Sequence, residues 1–164
     1  MVGSGRARRG GARLVLMCGL PGAGKSTLAR RLAGEMPAVR LCPDEWMARL
    51  GADLWDEPVR ERLEALFWEL AQDLLRRGQS VILESGFWLR SDRDAKRLGA
   101  RALGATVELR FLDVPLDELW GRVAARNACG SWGTAPITRA NLEHWSSLFE
   151  PPTPAEQHLF DNPR

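Results

Sequence analysis

The stretch RLVLMCGLPGAGKSTLARRLA, residues 13–33, sets the reading of the whole chain. An apolar run, Leu14–Cys18, leads without a break into GLPGAGKS, residues 19–26, which matches G-x-x-x-x-G-K-S. Behind it, Lys25–Gly34 reads as a helix with a glycine stop. A strand before and a helix after is the context in which this motif cradles phosphate groups. Gly19, Gly22 and Gly24 allow a backbone that turns its N–H groups inward, and the following helix points its positive end at the same place.

The lysine inside the motif is informative in itself. The chain carries 21 arginines and only two lysines, Lys25 and Lys96. A compact ammonium on a flexible stem reaches β- and γ-phosphate oxygens, whereas a planar guanidinium is bulkier and aimed differently. Ser26 supplies a hydroxyl for Mg²⁺. The candidate nucleotide-binding residues are therefore Gly19, Leu20, Pro21, Gly22, Ala23, Gly24, Lys25, Ser26 and Thr27, with a nucleoside triphosphate and Mg²⁺ as the expected cofactors. Hydrolysis, phosphoryl transfer and nucleotide-dependent switching are all compatible with these residues.

Outward from the motif, short apolar runs alternate with amphipathic helices. VRLC (39–42), SVILE (80–84) and ATVELRFLDV (105–114) read as further strands. Asp56–Arg77 is the strongest helix, with Asp56 as its cap and Gly78 after its end. Ser91 and Asp94 suggest a capping box for a helix to about Leu103, and Pro115 opens a helix to about Arg126. Residues 127–136, rich in small side chains, read as a lid, followed by a helix over Ile137–Phe149. HLF (158–160) reads as a short edge strand. Strand–helix alternation at this spacing predicts an α/β three-layer sandwich, a mostly parallel five-stranded sheet with helices on both faces and a small helical lid. Ligands of such sheets bind beyond the carboxyl ends of the strands, near residues 19–26, 43–45, 84–88 and 113–115.

Composition narrows the class. With 164 residues, 45% of them apolar and 27% charged, the chain reads as one globular domain. Residues 1–12 read as a disordered basic tail and residues 13–164 as the domain. The net charge of +2 argues mildly against a nucleic-acid groove without excluding one. Three widely spaced cysteines form no metal or disulfide pattern, and no apolar run is long enough for a membrane span, so a cytoplasmic location is expected. Oligomeric state leaves no signal.

Candidate reacting groups follow from where the strands end. Asp44, just after the second strand, is placed to accept a hydroxyl proton as that hydroxyl attacks a phosphoryl group, or merely to cap a helix. Glu84 ends the third strand, where a carboxylate can hold Mg²⁺ or its waters. Arg122 and Arg126, one turn apart, share a helix face that the lid would carry over the phosphates. Arg90 and Arg93 are candidates for the acceptor or its phosphate. Among seven tryptophans, Trp46, Trp88 and Trp132 flank the expected cleft and could stack on a ring, while Trp68 and Trp120 read as packing.

Taken together, GLPGAGKSTLARRLA, RLCPDEW, SVILESGFW, LDVPLDELWGRVAARN and FEPPTPAE resemble the small P-loop kinases of the AAA-type ATP-binding group. These are similar to chloramphenicol phosphotransferase, the zeta-toxin kinases and the kinase domain of polynucleotide kinase. The resemblance covers residues 13–160 and implies ATP, Mg²⁺, Asp44 as base, Arg122 and Arg126 as lid arginines, and FEPP near the adenine. Members often carry Asp where this chain has Glu84. The expected activity is phosphorylation of a hydroxyl on a small molecule, possible acceptors being an antibiotic or a nucleoside-like compound. A nucleic-acid 5′-hydroxyl kinase and an ATPase or switch without an acceptor are the alternatives.

Overall fold

The structure, a computed structural model, describes residues 11–130 and 132–162. Most of the expected tail lies outside these residues. Ala12 does not belong to a tail: it is buried, and its carbonyl accepts the Thr106 N–H at 3.0 Å.

Among the described residues four parallel strands form the sheet, β1 (Arg13–Cys18), β2 (Ala38–Leu41), β3 (Ser80–Gly86) and β4 (Thr106–Phe111), in the order β2-β3-β1-β4. Their near-continuous apolar sequences follow from burial on both faces. Leu14, Leu16 and Cys18 of β1 pack on one side with Val81, Leu83, Val107 and Leu109. That side is covered by α2 (Pro43–Leu50), α3 (Glu57–Arg76) and α4 (Arg90–Ala102), through residues such as Met47, Phe67 and Ala100. Val15 and Met17 face the other side, where α1 (Lys25–Glu35) presents Ala29 and Leu32. A third cluster joins α5 (Leu116–Cys129) and α6 (Arg139–Leu148) to Leu20 and Ala23 of the 19–26 loop.

Several boundaries differ from the sequence reading for local reasons. The first helix runs through Gly34, and Met36 caps it. Ser91 and Asp94 do not form a capping box, because α4 starts at Arg90 and its N-cap, Leu89, has no side-chain cap bond. A capping box occurs instead at α6, between Thr138 and Asn141. The expected lid begins helical, since α5 extends to Cys129, and Gly130 then takes the left-handed conformation that ends it.

The expected fifth strand at 158–160 is absent among the described residues. A short helix, α7 (Pro154–Gln157), precedes a turn there. Asp161 and Asn162 satisfy the open edge of β4 in place of a strand. The Asp161 N–H donates to the Val107 carbonyl at 2.7 Å, and the two side chains accept the Val107 and Leu109 N–H groups at 2.9 and 3.1 Å. This closes an edge that would otherwise present unpaired backbone.

The order β2-β3-β1-β4 places the switch point of the winding at the carboxyl end of β1. The β1–β3 register shifts there: Leu16 faces Leu83, but Cys18 faces Gly86. The extra residue falls at Glu84–Ser85, and a bulge at a strand's end re-aims the side chains it carries.

Candidate active site

The loops and helix ends at this edge enclose one cavity of about 1050 Å³. One end is lined by the 19–26 loop, the end of β3 and α5, the other by the first turns of α3, with Asp44 at the start of α2 within electrostatic reach of Lys25 and Arg126.

The 19–26 loop owes its shape to glycine. Gly22 sits at φ 84°, and a Cβ there would come within 2.8 Å of Val123 on α5. Only glycine lets α5 press against the loop at that point. Lys25 is half-buried and donates to the carbonyls of Gly19 and Leu20, each at 2.9 Å. Burial lowers its pKa to about 8, against the pull of Asp44 and other acidic groups nearby.

The two arginines expected to share a face both line this end of the cavity. Arg122 donates to the Ala23 carbonyl at 3.3 Å and pairs with Glu118. Arg126 has no such commitment: its Nε is buried without a hydrogen-bond partner among the described residues. Desolvation pulls the Arg126 pKa below its ordinary value, with Asp44 opposing. A buried N–H without a partner is costly, and an anion in the cavity can relieve it.

Ser26 and Glu84 are hydrogen-bonded to one another. The Ser26 hydroxyl donates to Glu84 Oε2 at 2.8 Å, and Glu84 Oε1 pairs with Arg40 of β2. Arg40 continues to Glu45, which also accepts from Arg30 at 2.7 Å. Burial disfavours charge on Glu45, but the hydrogen bonds from Arg40 and Arg30 outweigh it and hold its carboxyl below the ordinary range. No group of three or more His, Cys, Asp or Glu side chains among the described residues could hold a metal by itself. The Ser26 hydroxyl and Glu84 carboxylate are hard oxygen donors, which suit Mg²⁺ shared with phosphate oxygens and water.

Asp44 lies in the first turn of α2, half-exposed to the cavity, and pairs with Arg60 of α3 at 2.7 Å. It is not the helix cap, a position taken by Cys42. One turn beyond Arg60, Glu64 also lines the cavity. Burial raises its pKa to about 7 despite the nearby Arg60 charge.

Of the three tryptophans expected at the cleft, Trp88 and Trp132 line the cavity. Trp46 does not: its ring packs edge-on against Phe67, 5.0 Å between centroids, because α2 turns that face toward α3. Two other indoles take its place. Trp55, in the α2–α3 loop, lies 6.0 Å from Trp145 of α6, and Trp145 lies 5.9 Å from Trp88.

Arg93 and Arg90 do not reach the cavity. Arg93 is fully buried and bidentate to Glu156 of α7, at 2.6 and 3.0 Å. It also donates to the carbonyls of Phe87 and Trp88 at 2.9 and 3.1 Å. Phe87 adopts φ 47°, unusual for so bulky a residue, so Arg93 braces the turn that presents Trp88. Arg90 is exposed and pairs with Asp94 at 3.5 Å. Residues 149–152 are absent from the cavity lining, to which Leu148 does contribute.

Arg40, Arg60, Glu64, Trp55 and Trp145 were not singled out by sequence. Asp44-to-Arg60 and Trp55-to-Trp145 are contacts across 16 and 90 positions, which no local pattern announces. Arg60 and Glu64, at i and i+4 on the helix facing Asp44, carried the only signal.

A parallel sheet whose central strand ends in this loop, with a lysine, a serine and arginines around it, defines a nucleotide-binding P-loop domain of the kinase type. The chain belongs to the AAA domain family AAA_33, which matches residues 14–152. A search of curated proteins gives no match. Among solved structures, the chain is similar to a component of the Pnkp1/Rnl/Hen1 RNA repair complex, at 23% identity and a TM-score of 0.71. That match covers 98% of this chain and 49% of the other, so the chain spans about half its length. It is also similar to a protein assigned as a kinase from Chloroflexus aurantiacus, at 26% identity and TM-score 0.69, covering 87% of this chain and 83% of that one. A sugar kinase from Janibacter sp. shares the fold at 23% identity and TM-score 0.63, covering 90% and 82%.

Proposed function

We propose that the chain transfers the γ-phosphoryl group of ATP to a hydroxyl of a small molecule. One observation carries the reading: Lys25, Arg126 and the carboxylate of Asp44 all line one cavity. The phosphate loop brings its cations, and Asp44, within their electrostatic reach, brings a base.

In this reading Lys25 leaves the Gly19 and Leu20 carbonyls to bind β- and γ-phosphate oxygens. Arg122 and Arg126 neutralise charge on the group in transit. Mg²⁺, held through Ser26 with Glu84 behind it, would supply further charge neutralisation between the phosphates. Asp44 orients the acceptor hydroxyl and takes its proton. The acceptor oxygen forms the new O–P bond, the bond from γ-phosphorus to the β–γ bridging oxygen breaks, and ADP leaves with that electron pair. Arg60 fixes the Asp44 carboxylate for this task.

The likeness to an RNA-repair component favours a second reading, a nucleic-acid 5′-hydroxyl as acceptor. An antibiotic acceptor rests on the sequence resemblance alone.

The test is ADP release from Mg·ATP with and without pooled acceptors. Lys25→Met is expected to abolish turnover. Asp44→Asn is expected to lower acceptor-stimulated turnover by about 10²–10⁴-fold, the usual contribution of a general base, while ATP binding persists. Turnover equal in every pool and unaffected by Asp44→Asn would replace the kinase reading with an ATPase.

A further inference from the structure

The cavity is electrically divided. Lys25, Arg30, Arg122 and Arg126 line the phosphate end. Beyond it the lining carries Glu57 and Glu64, while Asp44, already paired with Arg60, lies between these carboxylates and the cations, within electrostatic reach of Lys25 and Arg126. Glu64 has no hydrogen bond or ion pair among the described residues, although Lys96 of α4 is near enough to favour its charge. An anionic acceptor entering here would meet Asp44 and Glu57, and Glu64 as it ionises through about pH 7, as like charge in a partly desolvated space, which costs affinity.

The wall beside these carboxylates is aromatic. Trp55, Trp145 and Trp88 form a chain of indoles with successive centroids 6.0 and 5.9 Å apart. They come from three separate parts of the fold, and all three border the cavity. Trp55 is 44% exposed, so a large apolar ring is left open to the cavity rather than used up in the core. Its neighbour Leu54 lines the same wall. Exposed indole faces beside a cavity are stacking surfaces for flat rings.

We propose that the acceptor is an alcohol bearing a planar aromatic ring and no negative charge. Its ring lies against Trp55, Trp88 and Trp145, and a hydrogen-bond donor or ammonium group meets Glu64. This deepens the kinase reading and rests on it. The wall would select against sugar acids, which lack a planar aromatic ring to stack and carry the wrong charge. The carboxylates would select against nucleic-acid strands, whose phosphodiesters carry that charge repeatedly.

The experiment offers Mg·ATP with four acceptor sets: nucleosides and aryl amino alcohols, neutral sugars, sugar acids, and a 5′-hydroxyl oligonucleotide. Phosphorylated product is read by mass spectrometry and ADP release by a coupled assay. Product from the aromatic set alone is expected. Trp145→Leu and Glu64→Gln should each raise the acceptor KM at least tenfold and leave the KM for ATP within twofold. Phosphorylation of sugars, sugar acids or the oligonucleotide in preference to the aromatic set overturns the inference and leaves the kinase reading standing. An unchanged acceptor KM in both variants, each shown to be folded by circular dichroism, overturns the inference likewise. ATP turnover that no set stimulates overturns both.

Discussion

Lys25 and Glu64 are buried in opposite senses, and each records a conflict between stability and ligand binding. The folded state holds the Lys25 pKa at about 8, below its ordinary value of 10.5, because burial penalises the ammonium. The folded chain thus binds fewer protons than the unfolded one between these values, and stability rises with pH across that window. The charge on Lys25 therefore opposes folding at neutral pH until phosphates accompany it. Lys25→Met is expected to raise the melting temperature of the nucleotide-free protein by a few degrees at pH 7, with a smaller gain at pH 10. Glu64 behaves as the mirror case. Its folded pKa of about 7 lies above the ordinary 4.5, so its contribution to stability is intact below pH 4.5 and is lost as pH rises through 7. Glu64→Gln is expected to stabilise the protein at pH 8 and to leave it unchanged near pH 4.5. Thermal melts at these pH values check both. An equal effect of either variant at its two pH values would show that burial does not control the group. Groups that lose stability for function in this way are typical of binding sites.

At the scale of elements, the turn after β3 joins the site to the rest of the fold. Gly86, at φ 79°, accepts the Gly19 N–H on its carbonyl at 3.0 Å, so the 19–26 loop hangs on this turn. Phe87 follows in an unfavourable conformation, and Trp88 then lines the cavity. Arg93 holds the Phe87 and Trp88 carbonyls, and α7 exists to supply its counter-charge, Glu156, which is 2% exposed. A buried pair broken on one side leaves an uncompensated charge and costs about 3–5 kcal/mol, whereas replacing both partners by apolar residues is often neutral. Glu156→Ala is therefore expected to lower the melting temperature by about 10 °C, given about 2–4 °C per kcal/mol for a domain of this size. The double variant Arg93→Met, Glu156→Leu should recover stability but not activity, because the turn loses its brace. Full recovery of both would reduce Arg93 to a packing residue.

For the whole molecule, the sheet and the phosphate loop were legible in the sequence because their signals are local. A buried parallel strand is a continuous apolar run, and the loop is eight residues with fixed glycines. Asp44, Glu84, Arg122 and Arg126 were legible through their place at strand ends or on one helix face, and the structure brings all four to one cavity. Arg93 misled because an arginine on a polar helix gives no sign that a distant glutamate will bury it. The indole wall was only half visible, since Trp55 and Trp145 meet across 90 positions. The same long-range assembly makes the cavity a place where separate elements are charged against one another. Lys25 and Arg126, from α1 and α5, face a common space, and the Arg126 Nε lacks a partner among the described residues. Binding a polyanion there should tie α5 to the sheet and stabilise the entire domain. At a nucleotide concentration of 100 times Kd the gain is about 2.7 kcal/mol, which corresponds to about 5–10 °C. Arg126→Ala removes a half-buried, desolvated charge whose Nε lacks a partner among the described residues, so the nucleotide-free protein is expected to melt no lower than wild type, while the shift with Mg·ATP shrinks by at least half. Were Arg126→Ala to melt lower and keep its full shift with nucleotide, Arg126 would be a structural residue of α5, and the phosphate end of the cavity would rest on Lys25 and Arg122 alone.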